Sequence, residues 1–502
     1  MTQKNRIADT TVIGGGTAGA AVAGRLAAQA NQSVLLVEAG HDYGLVSAGQ
    51  WPTDLLDARV VTDHERNDWG YTSAARTGQL NHPLQRAKVI GGCSAHNGCI
   101  CLRGSRADYD GWEAAGNHGW ATDELLPFFH KAETALCVRT FAPTEITPFH
   151  AACLEAMIQA GLPLGTDLND LDEDVGVGTS PVNIVDGIRW NTAMAYLDPV
   201  RDRGCLTVLG DTIVDKINLT QGRGTSVDII GPSGAATVDT NRIIVCAGAY
   251  GSPAVLLRSG IGPAYDLRCL GIATVFDLPG VGHNLHDHPV VNLRYSSAEL
   301  FSAMEAFVLK GHVPFTEQSI AKARSTDGTE LYNLHIYPFT SVGPTDDRRW
   351  ECTIPVANMT PLSRGSLSLS SSEPTAPPII DTGYLTDADD EDISVLMNGM
   401  ELAREIAQNQ PLAGLIGDEL PSSAQCVNSE DVRRSGLHYY HPVGTCKMGP
   451  SSDPQAVVDE LGKVHGTDNI YVADASVIPT IPRANTNLPT LVIAERIVEC
   501  LR

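Results

Sequence analysis

"ADTTVIGGGTAGAAVAGRLAAQANQSVLLVEAG", residues 8–40, carries four signals in one stretch. A short β-rich run leads into Gly14-x-Gly16-x-x-Gly19, then an alanine-rich helical pattern, then the apolar strand VLLV closing at Glu38. Strand, helix and an acidic residue about 20 positions past the glycines stand where a Rossmann-type βαβ unit needs them. Gly14 and Gly16 allow a tight turn and close backbone approach. The free N–H groups where the helix opens, at Thr17 and Ala18, suit a pyrophosphate. Glu38, followed by Ala39, would accept hydrogen bonds from a ribose diol. The stretch predicts a dinucleotide-binding α/β fold, and NAD and FAD both satisfy it.

The rest of the chain bounds the reading. At 502 residues it exceeds one ordinary core, and length suggests roughly two to four domains. A composition of 43% hydrophobic and 19% charged residues is that of a folded globular protein. Thirty-five basic against 59 acidic residues give a net charge of -24, which repels nucleic acid and anionic membranes and tolerates a cationic or neutral small substrate. Twelve cysteines, including Cys99-x-Cys101 but no C-x-x-C, outline neither a metal site nor a disulfide framework. Reduced thiols and no metal are expected. The first 26 residues lack the apolar core and cleavage site of a signal peptide, and no run of ~18 apolar residues spans a bilayer. These features point to a cytoplasmic protein without a membrane partner; the sequence leaves its oligomeric state open.

Further motifs follow in order. "RAKVIGGCSAHNGCICLRGSRADYDGWEAAGNHGWATDELLPFF" (86–129) and "CAGAYGSPAVLLRSGIGP" (246–263) precede "LPGVGHNLHDHP" (278–289) and "PLSRGSLSLSSSEPTAPPIIDTGYL" (361–385). "HPVGTCKMG" (441–449) and "YVADASVIPTIPRANTNLPT" (471–490) close the series. In this order and spacing the six blocks resemble the glucose-methanol-choline (GMC) oxidoreductases, over residues 11 to 500. The resemblance implies FAD, and alcohol oxidation by hydride transfer to flavin N5. The loop "GGCSAHNGCI" is most similar to that of choline oxidase, in which the matching histidine bonds the flavin 8α carbon. The resemblance thus makes His96 the covalent tether, a role a neutral imidazole nitrogen can fill as nucleophile. Cys93 stands where many members have serine. Gly98 replaces the serine of choline oxidase two positions beyond the histidine, which argues against choline itself.

The same resemblance distributes the site. Gly91, Gly92 and Asn97 join His96 at the flavin, and Val214, Asp474, Ala475, Thr486 and Asn487 complete the expected cofactor contacts. His441, opening "HPVGTCKMG", matches the family's catalytic histidine; an alcohol oxidation needs such a base. Asn485 in "RANTNLPT" matches its partner, and an amide can hold the substrate oxygen without taking its proton. Tyr439 and Tyr440 are expected at the pocket wall, and His335 in "YNLHIYPF" is a candidate facing it from a strand. Residues 1–290, with the attachment loop 86–104, form the expected FAD-binding domain, to which 436–502 return carrying the catalytic pair. Between them "VVNLRYS", "ELYNLHIYPF", "ECTIPVANM" and "GSLSLSS" read as strands and "DEDISVLMNGMELAREIAQN" as a helix, predicting a substrate domain over 291–435 on an antiparallel sheet flanked by helices. Expected partners are a small alcohol or sugar and O2 or another electron acceptor. Oxidation of a sugar secondary hydroxyl and hydroxynitrile lyase chemistry are the alternatives.

Overall fold

The computed structural model describes residues 7–29, 32–59, 65–75, 81–325, 330–342 and 350–501. The first unit is β1 (Ile7–Ile13), α1 (Thr17–Ala27) and β2 (Val34–Val37). All four residues of β2 are buried, as a parallel strand covered on both faces requires. β1 lies parallel to β2 on one side and to strand Gly234–Val245 on the other. Leu206–Leu209 extends the sheet beyond β2, and Ile470–Val472 returns from the C-terminal part to run parallel to Gly234–Val245. The strands Ile213–Thr220 and Arg223–Gly231 add an antiparallel margin.

Gly19 is where α1 touches the turn below it: a Cβ there would lie 1.8 Å from the Gly14 carbonyl oxygen. Alanines at 18, 20, 21 and 23 keep α1 thin, and its buried face meets the last helix, Asn487–Cys500. Arg25 of α1 grips the buried Glu495 of that helix through Nε and Nη2, at 2.6 to 3.0 Å.

The second sheet is antiparallel throughout, in the order Leu437–His438, Pro289–Tyr295, Trp350–Asn358, Leu334–Ile336, Ser319–Ala323, Gly176–Thr179, with Phe339–Val342 also paired to Trp350–Asn358. Helix Glu391–Gln408 covers one face, close to the expected bounds. Two segments from outside 291–435 also join. Strand Gly176–Thr179 forms an edge, and helix Pro148–Gln159 adds Phe149, Ala152, Ala156 and Met157 to the same apolar core. An apolar sheet face must be covered, and the helix Glu391–Gln408 does not suffice for it. "GSLSLSS" departs from expectation in the other direction. Its strand, Ser366–Ser368, leaves the sheet and pairs with Ile379–Asp381 in a separate hairpin. No helix among the described residues is long and apolar enough to cross a membrane.

Candidate active site

The glycine-rich turn is locked from two sides. Gly14 has φ +94°, and the Glu38 carboxylate accepts from the Gly15 N–H at 2.6 Å and the Gly40 N–H at 2.7 Å. Burial pushes the Glu38 carboxyl up to about 7. The loop after residue 90 lies directly across the turn: the Gly91 N–H donates to the Gly15 carbonyl at 2.7 Å, and a Cβ on Gly92 would sit 2.6 Å from the Gly16 Cα. From this crossing a cavity of about 1360 Å³ runs between the two sheets to His441.

Gly14, Gly16, Thr17, Ala18, Glu38 and Ala39 form one end of its wall, with Gly92, His96 and Asn97 from the loop and Val214 from the sheet. Asp474, Ala475, Asn485, Thr486 and Asn487 arrive from the C-terminal return. The Thr17 hydroxyl donates to Asn487 Oδ1 at 3.2 Å, joining the starts of the two helices. Two expected cofactor glycines do not reach the cavity. Gly19 is spent on helix packing against Gly14, and Gly91 on its bond to Gly15, with its Cα turned to Asn191. The Asp474 carboxylate is also occupied within the protein, by the Gly248 N–H, both donors of Ser476 and the Ser252 hydroxyl. It braces the turn. A backbone cradle, a carboxylate at the strand end and the buried Asn487 Nδ2, which has no partner among the described residues, together fit a dinucleotide.

At the other end stands the pair read from the motifs. His441 is buried, and its Nε2 lies 3.3 Å from Asn485 Nδ2. With the amide N–H turned to Nε2, that nitrogen accepts and keeps its lone pair in the tautomer that carries the hydrogen on Nδ1. Burial, then His288, Arg86, His335 and His438, holds the His441 imidazole well below its ordinary value, so it is uncharged near neutral pH. Tyr439 borders it edge-on, ring centroids 4.6 Å apart, and Tyr440 is half exposed at the mouth. His335 does not reach the wall. It is fully buried in its strand and stacked on Tyr332 at 5.9 Å, on the same face as the cavity-lining Tyr337 but enclosed behind the wall.

The sequence reading left four neighbours without a role. Asp287 accepts the His441 backbone N–H at 3.0 Å and the Tyr384 hydroxyl at 3.1 Å, and burial pushes its carboxyl up to about 6. His288 Nδ1 lies 3.0 Å from His441 Nδ1. Arg86 donates to the Tyr440 carbonyl at 3.0 Å. Asp287, His288 and His441 have the residue types of a metal site and converge within 4.8 Å, but the facing ring nitrogens already share a hydrogen. The fourth is Glu317. Its carboxylate borders the cavity with Tyr337, Tyr439 and Phe339, and a Cβ on Gly98 would come 1.7 Å from its Oε2. A concentration of polar residues in "HNLHDHP" was the one available signal for Asp287 and His288; Glu317 carried none.

A dinucleotide cradle and an uncharged histidine share one cavity between the two sheets, the arrangement of a dinucleotide-dependent oxidoreductase. The chain belongs to the GMC oxidoreductase family, whose N-terminal domain matches residues 8–290 and whose C-terminal domain matches 361–494. It is similar to the oxygen-dependent choline dehydrogenase of Paraburkholderia xenovorans, 32% identical over 98% of this chain and 94% of that protein. Human mitochondrial choline dehydrogenase is also 32% identical, over 98% of this chain and 89% of its own length. The crystal structure of pyridoxine 4-oxidase from Mesorbium loti shares the fold with a TM-score of 0.86 at 29% identity, over 98% of this chain and 99% of that one.

Proposed function

We propose that this enzyme oxidises a small alcohol carrying a cationic nitrogen, with His441 as the base. The observation that carries the proposal is the 3.3 Å approach of His441 Nε2 to the Asn485 amide, where both residues line the cavity. A substrate hydroxyl placed there gives its proton to Nε2, while the Asn485 amide holds the oxygen as it becomes an alkoxide. Burial excludes water from the exchange and keeps the imidazole ready to accept. Bound FAD supplies the acceptor for the hydride that leaves the carbinol carbon. In the same reading His96 carries the covalent link to the flavin, and O2 is the final acceptor.

Glu317 supports the substrate class. Burial raises its carboxyl although the Tyr337 hydroxyl bonds to it and the Arg189 guanidinium attracts it, so a cationic group beside it would further favour its charged form. Aromatic walls at Tyr337, Tyr439 and Phe339 suit the same group. The relatives named for choline agree with it. Twelve cysteines, none in a disulfide, favour a reducing compartment and with it a cytoplasmic location.

The decisive measurement is flavin bleaching under nitrogen with amino alcohols, aryl alcohols and sugars, then peroxide in air. Amino alcohols should bleach it fastest; bleaching by sugars alone defeats the substrate class. His441→Ala should retain flavin and slow its reduction by ~10²–10⁴-fold, and Asn485→Ala by ~10²–10³-fold. An unchanged rate in His441→Ala removes the base. Flavin should stay with the polypeptide in SDS and leave it in His96→Ala; a yellow supernatant from wild type refutes the tether.

A further inference from the structure

We propose that the dipeptide Asp287-His288 is the positioning element of the base, Asp287 fixing the His441 backbone and His288 fixing which ring nitrogen carries the hydrogen. This rests on the reading of His441 as the base.

The two Nδ1 atoms, 3.0 Å apart, have room for one hydrogen. Asn485 donates toward His441 Nε2, so in the neutral ring the hydrogen sits on His441 Nδ1 and His288 Nδ1 accepts it. His288 then bears its own hydrogen on Nε2, a buried nitrogen without a hydrogen-bond partner among the described residues. When the substrate proton arrives on His441 Nε2, the ring becomes an imidazolium, and its Nδ1–H bond to His288 turns into a charge-assisted one. His288 can serve only while neutral, and burial keeps it so, with its ring pushed down to about 3.

Asp287 completes the grip through the backbone. Tyr440 has φ +65°, in the left-handed region that a tyrosine adopts only under constraint. The peptide that follows it is held on both sides, its carbonyl by Arg86 and its N–H by Asp287. Tyr384 fixes the second oxygen of Asp287. Ring and backbone of the base are thereby both held from one turn, which leads directly into strand Pro289–Tyr295.

The test is the anaerobic flavin reduction rate against pH in wild type, His288→Leu, His288→Asn and His441→Ala. The charged and titratable groups packed around the pair, Arg86, His335, His438 and Arg483, are unchanged in the two His288 variants. His288→Leu fills the space without an acceptor, so it should lower the plateau by ~10²-fold or more, the scale of a lost orienting partner. Its acid limb should also move to lower pH, since the imidazolium has lost its acceptor. His288→Asn offers an amide oxygen and should recover at least tenfold of that loss. Equal rates in wild type and His288→Leu overturn the proposal, as do equal losses in both variants or an unmoved acid limb. Should His288→Leu not fold, His288→Ala, which also lacks an acceptor, takes its place: a lowered plateau with a displaced acid limb supports the role and an unmoved profile refutes it. A His441→Ala variant reacting at the wild-type rate would instead remove the base itself.

Discussion

Gly98 shows how one missing side chain reshapes a pocket. In the sequence it is an absent serine, a lost hydroxyl beside the flavin loop. In the structure its space belongs to the Glu317 carboxylate, 1.7 Å from where a Cβ would stand. Gly98→Ser should therefore push Glu317 aside and raise KM for a cationic alcohol by roughly tenfold, about 1.4 kcal/mol, with little change in the saturated reduction rate. Steady-state kinetics with an amino alcohol and a neutral alcohol check this; equal effects on both would detach Glu317 from cation binding. His441 and Asn485 were legible because each sits in a contiguous motif. His288 was not, since its contact with His441 spans 153 residues. His335 stands on the cavity side but behind the wall, because a strand pattern tells which residues share a face and not what packs over them.

Among the elements, the pairing of α1 with the last helix carries the most consequence. Both helices open onto the cofactor groove, joined by the Thr17 bond to Asn487 at one end and by Arg25 and Glu495 further along. Glu495 is almost fully buried, so Glu495→Ala leaves the guanidinium without its partner and should cost about 3 kcal/mol. Thermal unfolding of the holoenzyme measures it, and an unchanged Tm would make the pair dispensable. The β1–α1–β2 unit was legible because its signals are local: glycines, alanines and a buried apolar run. The membership of Pro148–Gln159 and Gly176–Thr179 in the second sheet was not, because it follows from an apolar face needing cover rather than from anything within those segments.

At the scale of the molecule, the interior stores uncharged imidazoles. His150, His286, His288, His335, His438 and His441 are all held below the ordinary histidine value by burial, His150 to about 4 and His288 and His438 to about 3. The unfolded chain takes these protons as pH falls through about 6.5, while the folded chain refuses them, so stability falls with pH below that point. Glu38, raised to about 7, and Asp287, raised to about 6, act in the opposite sense, as do Asp108, Asp198, Asp215, Glu317 and Asp474, each raised by burial; the rings set the sign because an unfolded histidine takes up its proton inside this interval. The Tm should drop between about pH 7 and pH 5, and a rise over that interval would contradict the burial of these rings. The sequence by itself determined the dinucleotide unit and the family, and it pointed to the proposed pair His441 and Asn485, because each rests on residues adjacent in the chain whose chemistry is read in place. Only the tertiary structure decided what surrounds the pair. Asp287, His288, Arg86 and Glu317 acquire their roles from contacts between distant segments, and burial, which sets the charge of His441, exists only once both sheets have closed over it.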